Sequence, residues 1–277
     1  MKGHEVKTKK ILIPSKLPGI DYAINPYVGC SYGCLYCYAS FMGSFVQQPV
    51  SQWGKYVYAK INAVELLVQE ITQLKKGQPK SILFSSVTDS YQPLEQYYQL
   101  TRRLLQVLVQ QSYTGKISIL TKSPLVLRDV DVLAQLPQKE VGLTITATDD
   151  RVSSIFESFA PTMSRRLETL QQLSQQGFQT YAFIGPLLPH FYLYPQRLST
   201  LFERIANTGV SSVFVEHINL STYICNRLFK HREVSKEEKY AYQQAQNKAC
   251  RDEVQKIVNT LVKKYRLVLR FSKVFEH

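Results

Sequence analysis

The stretch Asn25-Pro-Tyr-Val-Gly-Cys-Ser-Tyr-Gly-Cys-Leu-Tyr-Cys-Tyr-Ala39 sets Cys30, Cys34 and Cys37 in a C-x3-C-x2-C run. An electron-carrying [4Fe–4S] cluster is closed by four cysteine thiolates, and only three stand together here. Three thiolates leave one iron open for a substrate or cofactor, just as a catalytic zinc keeps a position free that a structural zinc fills. Gly29 and Gly33 flank the cysteines and relax the limits on φ, so a short loop can aim three sulfurs at one centre. Structural zinc, the rival reading with a disulfide, asks for four Cys/His ligands in two pairs. No second pair follows. Cys225 and Cys250 lie far off, and none of the five histidines forms a close pair with another.

At 277 residues the chain can bury one large core and falls in the size range of a single α/β barrel. A hydrophobic fraction of 44% and a charged fraction of 20% exclude wholesale disorder. No apolar run approaches the ~18 residues that cross a bilayer. Lys2, Lys7, Lys9 and Lys10 precede only the brief Ile11–Ile13 run, too short for a secretory signal. The expectation is a cytoplasmic protein without membrane attachment, in a reducing compartment that keeps thiolates free for iron. The net charge of +13 is uneven: residues 1–16 carry +4 and residues 227–277 carry +7. Basic termini are either a footprint for phosphate backbones or a solvated helix and a flexible arm.

Short β-branched runs alternate with longer helical patterns. The strands are expected at Ile24–Gly29, Ser81–Val87, Lys116–Thr121, Val141–Ala147, Gln179–Ile184 and Ser212–Ile218. Apolar stripes mark helices through Ile61, Val64, Leu67, Val68, Ile71 and Leu74, then Tyr97, Leu100, Leu104 and Leu108, then Met163, Leu167, Leu170 and Leu173. Thr162 is placed to cap the third of these and Gly177 to end it. Residues Ser235 to Tyr265 read as one long helix, with a late strand within Arg266–Phe271. Six such units imply an α/β fold: a partial (β/α)6 TIM-type barrel of parallel strands with an added C-terminal helix. A doubly wound sheet is the competing architecture. The expected organisation is a basic arm over residues 1–20, the barrel over 21–225 and a helical extension over 226–277. Polar residues gather where the strands end, as barrel chemistry requires: Cys30, Thr88 and Asp89, Lys122, Thr144, Thr146 and Asp149, Gly185, and His217 with Asn219.

The cysteine run resembles that of the radical S-adenosylmethionine superfamily, and the longer string resembles its spore photoproduct lyase-like branch. The likeness continues in order through Thr88-Asp-Ser-Tyr-Gln-Pro-Leu-Glu95, Leu100-Thr-Arg102, Thr121-Lys-Ser123, Arg128-Asp-Val-Asp-Val-Leu133, Phe156-Glu157, Ala160-Pro161 and Arg166-Leu-Glu168. It covers roughly residues 20–220. The resemblance implies a [4Fe–4S] cluster on Cys30, Cys34 and Cys37 whose open iron chelates S-adenosyl-L-methionine. One electron then splits the sulfonium to methionine and a 5′-deoxyadenosyl radical, which takes a hydrogen from the substrate, while the protein orients and shields the chemistry.

The resemblance also suggests roles. Tyr38 packs against the cofactor, Thr88 and Asp89 read the methionyl amine, and Lys122 holds the methionyl carboxylate. Thr144 or Thr146 bonds the ribose or the carboxylate, and Gly185 lets the adenine approach. Plain rivals stand beside these: Asp89 as the cap of a helix near Pro93, Lys122 as a solvated loop lysine, Arg128, Asp129 and Asp131 as a structural cluster, and Glu157 with Arg166 as an ion pair. The expected partners are an electron donor of flavodoxin or ferredoxin type and a nucleic acid; the alternative is a small-molecule or peptide substrate, and a third reading is a non-catalytic iron–sulfur or redox-sensing protein. Spore photoproduct lyase uses a further cysteine beyond its cluster as hydrogen donor, and this chain has none between Cys37 and Cys225. Cys225 is either a substitute donor or a buried small hydrophobe. Val28 and Ser158-Phe159 stand where the branch commonly has Arg and Pro-Arg.

Overall fold

Apolar runs become mostly parallel strands separated by amphipathic helices. The computed structural model describes residues 3–74, 77–230 and 235–276. They form two compact units, Met1–Gly33 with Ala39–Gly142 and Cys34–Tyr38 with Leu143–His277.

The first unit contains β1 (His4–Val6), β2 (Ile13–Pro14), β3 (Tyr22–Ile24), β4 (Tyr27–Val28), β5 (Tyr58–Lys60), β6 (Ile82–Phe84) and β7 (Ile117–Thr121). Its helices are α1 (Ala63–Leu74), α2 (Glu95–Tyr98), α3 (Leu100–Gln110) and α4 (Val130–Leu133). β3, β6 and β7 run parallel with Ala23, Leu83 and Ser118 in register, and β2 lies antiparallel to β3. The first expected strand, Ile24–Gly29, is split. Pro26 has no N–H for a ladder, and its carbonyl instead accepts the Lys60 N–H at 3.0 Å. Beyond it, Tyr27–Val28 turns away to pair with β5, which also pairs with β1.

The second apolar stripe is likewise broken, because Gln99 takes a left-handed conformation at φ 50°. Leu100, Leu104 and Leu108 are buried on α3, whereas Tyr97 on α2 is 81% exposed. The buried Glu95 carboxylate stabilises this break by accepting the Thr101 N–H with both of its oxygens, at 3.0 and 3.1 Å. Donors at a helix start have no intrahelical partner, so the carboxylate satisfies two of them, taking the Arg102 N–H at 3.3 Å as well. Glu95 also takes the Tyr27 hydroxyl at 2.5 Å and Arg128 Nη2 at 2.8 Å. Arg128 and Arg102 both pair with Asp129, and Arg102 also pairs with Asp131. This cluster is structural, as its helix-start position suggested.

β8 (Lys139–Thr144) leads into the second unit, with α5 (Asp150–Phe156), α6 (Met163–Gln175), β9 (Thr180–Leu187), α7 (His190–Leu193), α8 (Pro195–Ala206), β10 (Ser212–His217), α9 (Thr222–Lys230), α10 (Lys236–Gln244), α11 (Lys248–Lys264) and β11 (Val268–Leu269). β9 and β10 are parallel with Ala182 opposite Val213, and β11 extends β10 in parallel. Thr162 does cap α6, accepting the Arg165 N–H, and Gly177 follows its end at φ 79°. The long C-terminal helix is instead two helices. Asn247 accepts the Ala249 N–H at 2.9 Å and starts α11 afresh, because an Asn side chain competes for backbone donors and favours a cap over a helix interior. Ser235 and Glu238 form a reciprocal capping box on α10. Among the described residues no helix is long and apolar enough to cross a membrane.

His217 closes β10 at 3% exposure. Burial, aided by the Arg251 charge and opposed by Glu276, holds its pKa down to about 4. Between pH ~6.5 and ~4 the unfolded chain therefore binds a proton that the native chain does not. The stability is present above the unfolded value and is lost as pH falls, at most about 1.4 kcal/mol per pH unit for one proton. Urea denaturation at stepped pH should show this slope, and His217→Gln should flatten it in that window.

Candidate cofactor site

In the first unit the loop leaves β4 through Gly29, at φ 88°, where an added Cβ would lie 2.5 Å from the Tyr56 carbonyl oxygen. Gly33, at φ 61°, faces a second close approach: a Cβ on Gly54 would stand 2.7 Å from its Cα. Backbone meets backbone here, which leaves room for glycine alone. The Gly33 N–H returns to the Cys30 carbonyl at 3.3 Å.

Side chains then fix the Cys30 shoulder. Thr88 donates to the Gly29 carbonyl at 2.6 Å, and Gln92 Nε2 reaches the same carbonyl at 3.3 Å and Thr88 Oγ1 at 3.2 Å. Gln92 Oε1 accepts the Ser31 N–H at 3.0 Å. Asp89, 7% exposed, accepts the Tyr91 N–H at 2.9 Å, the Thr121 hydroxyl at 2.6 Å and the Lys122 N–H at 2.8 Å. It therefore does not cap a helix near Pro93; it ties the loop after β6 to the end of β7. Desolvation raises its pKa while these three donors oppose the shift. A carboxylate offers about four acceptor sites, and three are filled. The Lys122 side chain is half-buried.

In the second unit the rest of the loop, Cys34–Tyr38, is held by bonds of very long sequence range. Leu35 N–H donates to the Phe156 carbonyl at 2.9 Å. The Tyr36 hydroxyl donates to Glu157, which also accepts the Thr146 hydroxyl at 2.7 Å and pairs with Arg166. Arg166, fully buried, further donates to the Pro161 and Thr144 carbonyls at 2.8 and 3.2 Å. Thr146 thus has its hydroxyl proton committed to Glu157, and Thr144 contributes its carbonyl to Arg166. From α9, Tyr223 donates to the Tyr38 carbonyl at 2.9 Å and Arg227 Nη2 to the Cys34 carbonyl at 2.9 Å.

Tyr38 is half-buried, and burial raises its phenol pKa. Gly185 is buried on β9, where an added Cβ would strike the Phe183 ring. Cys225 is half-buried with its thiol on the Leu220 carbonyl at 3.5 Å, and burial raises its pKa. Gln92, Tyr36, Tyr223 and Arg227 did not stand out in the sequence as site residues. Tyr223 and Arg227 are four residues apart on one helix face, a spacing that flags a pair without naming its target.

None of the five cysteines is in a disulfide, and Cys30 and Cys34 are 7% and 6% exposed. Among the described residues, no group of three or more His, Cys, Asp or Glu is spaced to grip a single metal ion. Buried cysteines outside any disulfide, on a glycine-turned loop, are a donor set suited to iron–sulfur ligation.

A sequence model of the radical SAM superfamily matches residues 24–191, more than half of the chain. The chain belongs to that superfamily. As a radical SAM enzyme it uses a [4Fe–4S] cluster and S-adenosylmethionine. An uncharacterized protein of Methanocaldococcus jannaschii is 39% identical over 185 residues, 67% of each chain. The radical SAM Nα-GlyT isomerase of Pseudomonas phage M6 is 24% identical over 201 residues, 70% of this chain and 38% of that protein. Among solved structures, spore photoproduct lyase complexed with dinucleoside spore photoproduct is similar in fold, with a TM-score of 0.75 at 15% identity over 99% of this chain and 82% of that one. The alternation of parallel strands and helices agrees with the expected α/β partial-barrel class of this radical SAM protein.

Glu157→Ala should cost about 3–5 kcal/mol, because it leaves the Arg166 guanidinium buried without its carboxylate. Urea denaturation of the variant measures the loss, and Glu157→Gln should recover part of it by keeping an acceptor for Tyr36 and Thr146.

Proposed function

We propose that this radical SAM enzyme holds its cluster on Cys30, Cys34 and Cys37 and acts on a nucleic acid. The observation that carries the reading is the C-x3-C-x2-C loop itself, a glycine-turned segment with two buried cysteines outside any disulfide, inside the family match. When bound, the cluster and S-adenosylmethionine supply one-electron sulfonium cleavage and hydrogen abstraction. The protein's own residues bind and orient. Asp89, with one acceptor site left, would take the methionyl amine, and the Lys122 ammonium would hold the methionyl carboxylate as a point charge. Thr88 and Gln92 hold the Gly29 carbonyl, so their part is to fix the Cys30 shoulder. Thr144 and Thr146 lie beside them in role, their backbone or hydroxyl tied to the Glu157–Arg166 pair. Gly185 makes room for the Phe183 ring that lies against it, so its part toward the adenine would be through its backbone. Tyr38, neutral and half-buried, packs beside the cofactor.

The nucleic-acid assignment draws on the basic termini and on the fold likeness to spore photoproduct lyase, solved in complex with a dinucleoside spore photoproduct. A small molecule or peptide is the second reading, favoured by the lack of any cysteine between Cys37 and Cys225 to return a hydrogen. Cys225 is the proposed donor under the first reading, and a flavodoxin- or ferredoxin-type protein supplies the electron.

Anaerobically reconstituted, reduced protein should form 5′-deoxyadenosine from S-adenosylmethionine, read by chromatography, and Cys34→Ala should lose both cluster absorbance and product. A cluster-loaded, reduced protein that never yields 5′-deoxyadenosine would end the enzymatic reading. Gel-shift titrations at 50 and 200 mM salt should weaken by roughly 10³-fold or more if several phosphates are contacted; salt-independent or undetectable binding favours the small-molecule reading.

A further inference from the structure

Helix α9 lies after the last long strand of its unit, yet one of its faces is committed to the cysteine loop. Tyr223 and Arg227, one helical turn apart, donate to the carbonyls of Tyr38 and Cys34, both at 2.9 Å, and Arg227 Nη1 also reaches the Cys37 carbonyl at 3.5 Å. Arg227 is buried, at 7% exposure. The peptide joining Cys34 to Leu35 is fixed at both ends, its carbonyl on Arg227 and its N–H on the Phe156 carbonyl. A guanidinium cannot be deprotonated in a protein, so a permanent positive charge sits directly behind the backbone of two cysteines.

We propose that Arg227 is a positioning residue that sets the reduction potential of the cluster by placing its charge against the Cys34–Cys37 turn. This rests on the reading that Cys34 and Cys37 are cluster ligands. Reduction adds one negative charge to the cluster, and a cation in a poorly solvated position stabilises that added charge more than water-screened surface lysines do. Net charge and hydrogen bonding around the sulfurs are the levers that spread cluster potentials over their wide range. Because the hydrogen bonds go to carbonyl oxygens, the charge is oriented without taking a sulfur lone pair from iron. Tyr223 makes a neutral bond of the same kind and so serves as the internal control.

The test is an EPR-monitored redox titration of the full-length protein reconstituted anaerobically. Arg227→Gln should retain cluster loading, yet at a fixed potential its ratio of reduced to oxidised cluster should fall about tenfold, ~59 mV for one electron. Arg227→Lys, which keeps the charge, should stay within about twofold of wild type, as should Tyr223→Phe. An Arg227→Gln titration that superimposes on wild type overturns the proposal, and so does an Arg227→Lys shift as large as that of Gln, which would make fork geometry the cause. If Arg227→Gln loads no cluster, Arg227→Lys decides: a wild-type midpoint supports the proposal and a tenfold drop overturns it. Failure of both to load makes Arg227 a folding residue and overturns it as well. Wild-type protein that takes up no cluster would instead overturn the cysteine assignment, a result recognisable before any variant is made.

Discussion

Holding three thiols on one short loop is the constraint from which the rest of this structure follows. Thiols contribute little of their own to fixing a backbone, because S–H is a weak donor. The loop is therefore held through its peptide groups. Gly29 and Gly33 let the chain turn, Thr88 and Gln92 bind the carbonyl before Cys30, and Phe156, Tyr223 and Arg227 bind the peptides around Cys34 to Tyr38. Phe156, Tyr223 and Arg227 sit on helices, and Thr88 and Gln92 on the loop between β6 and α2, so the fold delivers rigidity to a segment with little regular structure of its own.

The same logic explains the buried charge. Glu157 and Arg166 would be costly to bury as an isolated pair. Here the carboxylate also accepts the Tyr36 and Thr146 hydroxyls, and the guanidinium also serves two carbonyls, so both carboxylate oxygens and all three guanidinium nitrogens have partners. Tyr36 lies between two of the cysteines in sequence. The pair therefore couples the cysteine loop to the end of β8 and the start of α6, and its value is in geometry as much as in stability.

Much of this architecture was legible in the residues. The expected positions of β6, β7, β8, β9 and β10 are close to the observed strands, because each is a short apolar run bounded by polar or turn residues. Thr162 and Gly177 bounded α6 as their chemistry suggested. The errors have local causes. Pro26 ends one ladder and a new pairing starts beyond it; Gln99 adopts a left-handed conformation without being glycine, supported by a carboxylate four residues earlier; Asn247 caps a new helix inside an apparently continuous stripe. At the site, the three cysteines and the Glu157–Arg166 pair could be read directly. Gln92, Tyr36 and Arg227 could not, since their partners lie far away in sequence and nothing local marks them. Asp89 shows the intermediate case: its place was evident, but its three donors were not.

The amide of Gln92 gives the loop a direction. Its nitrogen faces two oxygens, the Gly29 carbonyl and the Thr88 hydroxyl, while its oxygen faces the Ser31 N–H. Asparagine would be one methylene too short to span this set, and glutamate would oppose a lone pair to the carbonyl while satisfying the N–H. Rotating the amide by half a turn would break every one of these contacts at once. The position thus accepts one end-group in one orientation, and the backbone on either side of Cys30 inherits that asymmetry.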